Sequence, residues 1–226
     1  MSSPQRPAGP QGPTSDGVID LLGLLAYASL TAFFRLTDDA ALAISLADKT
    51  ALADMAVAEF GHFQLLRARL EQLDASPEEA MQPFVTAVDA FHARTAPSDW
   101  LEGLVKAYVG DGIAADFYRT VAARLDPDTG ALVSEVLADT GHSEFAVARV
   151  RAAIAEDPSA AGRLALWARR LVGEALGQAQ RVAAERESLA DLLAGHSEHQ
   201  LGDMGRMFAD LTDQQAARMA ALGLAE

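Results

Sequence analysis

Apolar residues recur at intervals of three and four through every hydrophobic segment of the chain, and nowhere alternate one by one as a half-buried strand requires. The spacing predicts helices over about 16–36, 48–73, 98–125 and 130–156, then two more over about 159–194 and 199–222. The first is apolar nearly all round, as the central helix of a large bundle is, with Asp16 placed to cap it. Thr37, Asp38 and Asp39 read as a connection that can carry some helix of its own, and Asp126-Pro127-Asp128-Thr129-Gly130 as a turn between the third and fourth helices. The stretch 74–97 is too long for a hairpin. It carries its own helical segment over 77–92, opened by the capping pattern Ser76-Pro77-Glu78-Glu79. The expected fold is all-α: a four-helix bundle over about 16–156 with a long crossover between helices 2 and 3, and two additional C-terminal helices packed on it as part of one domain.

Composition narrows this picture. Half of the 226 residues are hydrophobic, enough for a sizeable core, while three Tyr and two Trp leave little of what strands favour. No cysteine is present, which removes disulfides, zinc–thiolate sites and iron–sulfur clusters. Any metal must then be held by oxygen and imidazole, a donor set suited to iron or manganese. The net charge of −14 opposes a nucleic-acid backbone. Residues 1–15, MSSPQRPAGPQGPTS, read as a disordered tail and not a signal peptide. The apolar run 17–34 is interrupted by Asp20 and barely spans a bilayer, so a buried bundle helix and a cytoplasmic protein are expected.

Candidate chemistry lies in two repeats of one pattern. Glu59-Phe60-Gly61-His62 and Asp139-Thr140-Gly141-His142 each place an acid and an imidazole three residues apart, on one helix face. Two such pairs use two of only five histidines. They fit a bundle in which two helices give carboxylate-x-x-His and the others one carboxylate each. Reflecting Asp139 through the turn near 127 lands on Asp116, the expected lone carboxylate of the third helix. Asp111, about 7.5 Å earlier along the axis, is an alternative ligand or a group behind the ligands, as is Tyr27. On the first helix the counterpart falls near residue 29, where Ser29 stands in place of a carboxylate.

Residues 16–195 resemble the actinobacterial ferritin-like proteins related to the bacterial tRNA 2-methylthio-N6-isopentenyladenosine hydroxylase. The likeness is carried by Leu24-Leu25-Ala26-Tyr27, Ala58-Glu59-Phe60-Gly61-His62, Ser98-Asp99-Trp100-Leu101-Glu102, Tyr108-Val109-Gly110-Asp111-Gly112, Leu137-Ala138-Asp139-Thr140-Gly141-His142 and Leu166-Trp167-Ala168-Arg169-Arg170. It implies a ferritin-like four-helix bundle, a non-haem di-iron site and an oxygen-dependent hydroxylase. Dioxygen and a further substrate would be its partners. It also implies Glu at the position of Ser29 and at that of Asp139. A tRNA substrate would come from the resemblance alone and faces the charge of −14; a homodimer is compatible with it.

Other polar residues have plainer readings. His92 is expected to be a surface or crossover histidine, His196 and His199 solvated, and Trp167 a core residue. Arg163, Arg169, Arg170, Arg181 and Arg186 read as a solvated face paired with Glu174 and Glu185. Three function classes remain: a di-iron hydroxylase, a metal-binding protein with one or two iron or manganese ions but no oxygenase chemistry, and a ferritin-like scaffold without a working centre.

Overall fold

The computed structural model describes residues 15–122, 125–138, 142–194 and 200–224. Within these the chain is helical throughout, with no strand. Helix α1 (Ser15–Leu42) and helix α2 (Leu46–Gln72) form the first hairpin. Ser45 caps α2: its Oγ accepts from Asp48 N at 3.1 Å and donates to Asp48 Oδ2 at 2.6 Å. The buried Asp48 carboxylate also meets Arg149 at 2.6 Å. After α2 the chain turns at Asp74, whose φ of 56° lies in the left-handed region that Asp tolerates.

The crossover consists of α3 (Pro77–Met81), a short 3-10 turn (Gln82–Phe84) and α4 (Val85–Arg94). Ser76 Oγ accepts from Glu79 N as the capping pattern requires. Helix α5 (Trp100–Ala122) opens with a reciprocal cap, Asp99 accepting from Glu102 N while Glu102 accepts from Ser98 N. Then follow α6 (Pro127–Val136), α7 (His142–Glu156), α8 (Ser159–Glu185), α9 (Glu187–Ala194) and α10 (Gln200–Leu222).

The apolar residues gather into two clusters joined along α1. One gathers Leu21, Leu22 and Leu25 with Leu66 and Leu70 of α2, Phe84 of the crossover, and Leu189 of α9. The other gathers Leu36 with Leu52 of α2, Leu104 and Val105 of α5, Val150 of α7, and Leu164 and Leu171 of α8. Helix α1 is long and apolar enough to cross a membrane, and more than half of its most apolar window is buried by the rest of the chain. That burial is what the core-helix reading requires.

Three expectations need correction. The first helix does not stop at Leu36 but continues through Thr37, Asp38 and Asp39, because Leu36 and Ala40 are buried and extend its apolar stripe. The fourth helix is not continuous over 130–156: α6 ends at Val136 and α7 begins at His142. It also starts earlier, at Pro127: Pro127, Asp128, Thr129 and Gly130, expected to form a turn, are the first turn of α6, capped by Asp126. The stretch 159–194 is broken at Arg186, whose φ of −126° and ψ of 88° end α8.

Candidate functional site

The acid–imidazole pair of α2 forms as its spacing dictates. Glu59 Oε1 lies 3.5 Å from His62 Nδ1, one turn apart, with side chains 17% and 16% exposed. The other members do not join it as far as the described residues go. Asp139 lies outside them, as do His196 and His199; His142 opens α7, but its side chain is not described, nor is that of Asp111. Ser29 is buried on α1. Tyr27, placed by sequence near the centre, instead donates its hydroxyl to Asp89 Oδ1 of α4 at 2.8 Å. Burial first, and the Asp89 bond second, push its phenol pKa up.

Asp116 projects from α5 towards α10 and accepts from Arg218 Nη2 in a close ion pair. Both side chains are largely buried, 10% and 14% exposed. The pair needs Gly112: a Cβ there would stand 2.1 Å from Arg218 Nε, so only glycine leaves the guanidinium stem room to cross the helix. Arg218 Nη1 is buried with no hydrogen-bond partner. Among the described residues no three acidic or histidine side chains converge as a metal cluster would require. Of the expected donors, Asp116 is held by a guanidinium and the first-helix position is a neutral serine.

A second polar group lies elsewhere on α5, in a cleft the sequence reading did not anticipate. The cleft has a volume of about 290 Å³ and runs between α1, α4, α5 and α8, with Leu189 of α9 in its wall. From Leu24 to Asp39 it follows α1 for about 22 Å at helical rise. Asp39 lies against Gly103, where a Cβ would stand 2.8 Å from its Oδ2. Lys106 is buried, donates from Nζ to Thr95 O at 2.7 Å and sits 5.5 Å from the centre of the Phe91 ring. Burial raises the Asp39 pKa to about 6, against the lowering influence of Lys106. It lowers that of Lys106 to about 8, with Asp39 opposing.

His92 and Gln178 also line the cleft. His92 lines the cleft with Nδ1 buried and unbonded, and burial, then the charge of Lys106, lower its pKa to about 3. His92 is a crossover histidine, as expected, on α4, but it is not at the open surface: it packs edge-on against Phe91 and lines the cleft. Gln178 is buried with an unbonded Oε1. One signal could have pointed here: Lys106 is one of only two lysines in the chain and sits in an apolar helical run.

The arginines of α8 are not the simple solvated face expected. Arg163 reaches back to Asp99 and to the buried Glu102, and Glu174 pairs with Arg94 of α4. Arg186 and Ser188 both bond Asp20, which is buried. Trp167 is in the core as expected, its Nε1 donating to Glu102 O at 2.9 Å. Comparison with protein families finds that the family described as "Ferritin-like domain, actinomycetes" matches residues 14–196. No curated protein matches the chain significantly.

Proposed function

This chain belongs to the ferritin-like domain family of actinomycetes, and on that premise we propose that it is a ferritin-type helical scaffold in which a built-in arginine takes the charge-balancing place of bound iron. The observation that carries this reading is the Arg218–Asp116 ion pair seated over Gly112. A buried carboxylate needs a cation. Here the chain supplies one covalently, and an incoming metal ion would have to displace it and strand a buried guanidinium. Ser29 supports the same reading, since a neutral hydroxyl cannot offset the charge of a second iron. On this reading the protein binds and organises partners and does not oxidise a substrate.

Anaerobic titration of the full chain with ferrous iron, followed by elemental analysis, tests the proposal. The expected result is well under one iron per chain, rising in Arg218→Met, where Asp116 is released. Two irons per chain in the parent, with dioxygen consumed on exposure to air, would overturn it.

Glu59 and His62 favour a second reading. Their approach to 3.5 Å on one face of α2 suits a clamp on a single ion, which Asp139 and His142 would complete as iron or manganese ligands. A bound iron there would supply dioxygen chemistry, and the hydroxylase activity implied by the resemblance would rest on it. One iron per chain, lost in Glu59→Gln and indifferent to Arg218→Met, is the signature of this alternative. A tRNA substrate is disfavoured on either reading by the charge of −14.

A further inference from the structure

We propose that the cleft between α1, α4, α5 and α8 is a binding site for a small amphiphile with a carboxylate head and an aliphatic tail. The site is separate from the Glu59–His62 and Asp116–Arg218 groups, and the inference does not depend on the iron question.

The cleft is polarised along its length. Asp39 meets α5 at Gly103, while Leu24 and Tyr118 lie at the far end, so the two helices run antiparallel along the walls. Arg35, Asp39, Lys106 and His92 therefore share one end. The other is lined by Leu24, Val182 and Leu189. Water gains little in such an apolar end, since an ordered water needs two or more polar partners. An aliphatic chain gains roughly 0.8 kcal/mol for each methylene it buries. The volume lies near the lower bound of ligand cavities, roughly 300 Å³, so a single slender molecule fits and a bulky ring system does not.

The sign of the head follows from the charges at the polar end. Arg35 and Lys106 are cationic and Asp39 is the one carboxylate beside them in the cleft wall; Asp38, paired with Arg35 at 3.5 Å, is exposed outside it. Among the described residues no carboxylate lies within ion-pair distance of Lys106, and its only hydrogen bond there is to Thr95 O. An ammonium has three donors, so two remain for a ligand. His92 Nδ1 is a buried polar atom with no hydrogen-bond partner. The imidazole can donate there by choice of tautomer. A planar, singly charged carboxylate accepts from such donors with both oxygens. A dianionic phosphate would add a second negative charge beside Asp39 with no further cation to meet it.

Calorimetric titration of the full chain with laurate below its micelle concentration tests the proposal, with dodecanol and dodecylammonium as partners of equal tail. Laurate is expected to saturate at one per chain and to bind more tightly than either. Lys106→Met should weaken laurate by about tenfold or more, the worth of one charge-assisted hydrogen bond, and leave dodecanol unchanged. Val182→Trp, which fills the tail end, should abolish both. Thermal melts establish that each variant is folded; should Lys106→Met not fold, Arg35→Gln at the exposed rim replaces it, with a loss of about threefold expected. Absence of saturable laurate binding, equal binding of laurate and dodecanol, tighter binding of dodecylammonium, or indifference to the charge substitution in the folded protein would each overturn the proposal.

Discussion

Helix α5 carries two buried charge groups, Asp39–Lys106 near its start and Asp116–Arg218 further along, and they differ in whether the charges touch. Both rest on a glycine that lets a charged side chain from another helix lie close to the backbone, Gly103 beneath Asp39 and Gly112 beneath Arg218. At Gly112 the guanidinium and carboxylate are in contact and closed off. At Gly103 the ammonium and carboxylate are held apart on the walls of a cleft. In low dielectric a touching pair recovers most of its desolvation cost, whereas separated charges remain partly unpaid. The contact pair is therefore built to hold α10 on the bundle. The separated pair keeps interaction energy in reserve for a third group.

The largest effect should come from breaking the contact pair on one side. Arg218→Met or Asp116→Asn each removes one member of a buried charge pair and should cost about 3 kcal/mol in urea unfolding. The double variant should cost clearly less than the two singles added. Lys106→Met and Asp39→Asn should show no comparable coupling, since those charges do not touch. Equal coupling in the two groups would erase the distinction.

Next in size are the glycines. Alanine normally stabilises a helix relative to glycine by about 1 kcal/mol, and Gly162→Ala, with nothing within 4 Å of the added methyl, should show that gain. Gly112→Ala and Gly103→Ala should reverse the sign and lose about 1–2 kcal/mol, because the methyl meets Arg218 or Asp39 below 3.0 Å. A gain at either would mean that the charged side chain can step aside freely.

The smallest effect is in pH dependence. Asp39 has a folded pKa of about 6 against 3.8, so between pH 4 and 6 the folded state holds more of its proton and stability falls as pH rises. His92, lowered to about 3 from 6.5, acts oppositely: over pH 3 to 6.5 the unfolded state binds more protons and stability rises with pH. Lys106, lowered to about 8 from 10.5, adds a rise between pH 8 and 10.5. Asp39→Asn should therefore steepen the acid-side rise, and His92→Gln should flatten or invert it. Each change should be about 1 kcal/mol after allowance for water at the cleft mouth. Unchanged profiles in both would deny the group its burial.

Most helices were legible because helix periodicity and caps are local. Ser76 acted as its sequence indicates, whereas Asp126, read as part of a turn, is the N-cap of α6, accepting from Thr129 N. The Glu59–His62 approach was legible for the same reason, being set by one turn of helix. Arg218 was not: it lies 102 residues from Asp116, and no periodicity within α5 shows which helix will cover it. The extension of α1 past Leu36 was missed for the same reason. Asp38 and Asp39 read as loop formers, while the burial of Asp39 against Gly103 depends on a contact 64 positions away.

Asp20 fixes one wall of the cleft. Its carboxylate holds both Arg186 and Ser188, the residues on either side of the start of α9, so the joint between α8 and α9 is tied to the first turns of α1. Leu189, next along the chain, lies in the cleft wall and cannot swing out without rupturing a buried ion pair. A ligand in the cleft would therefore meet, at its apolar end, a wall fixed through Asp20, so that the length of its tail and not the give of the wall would decide what fits.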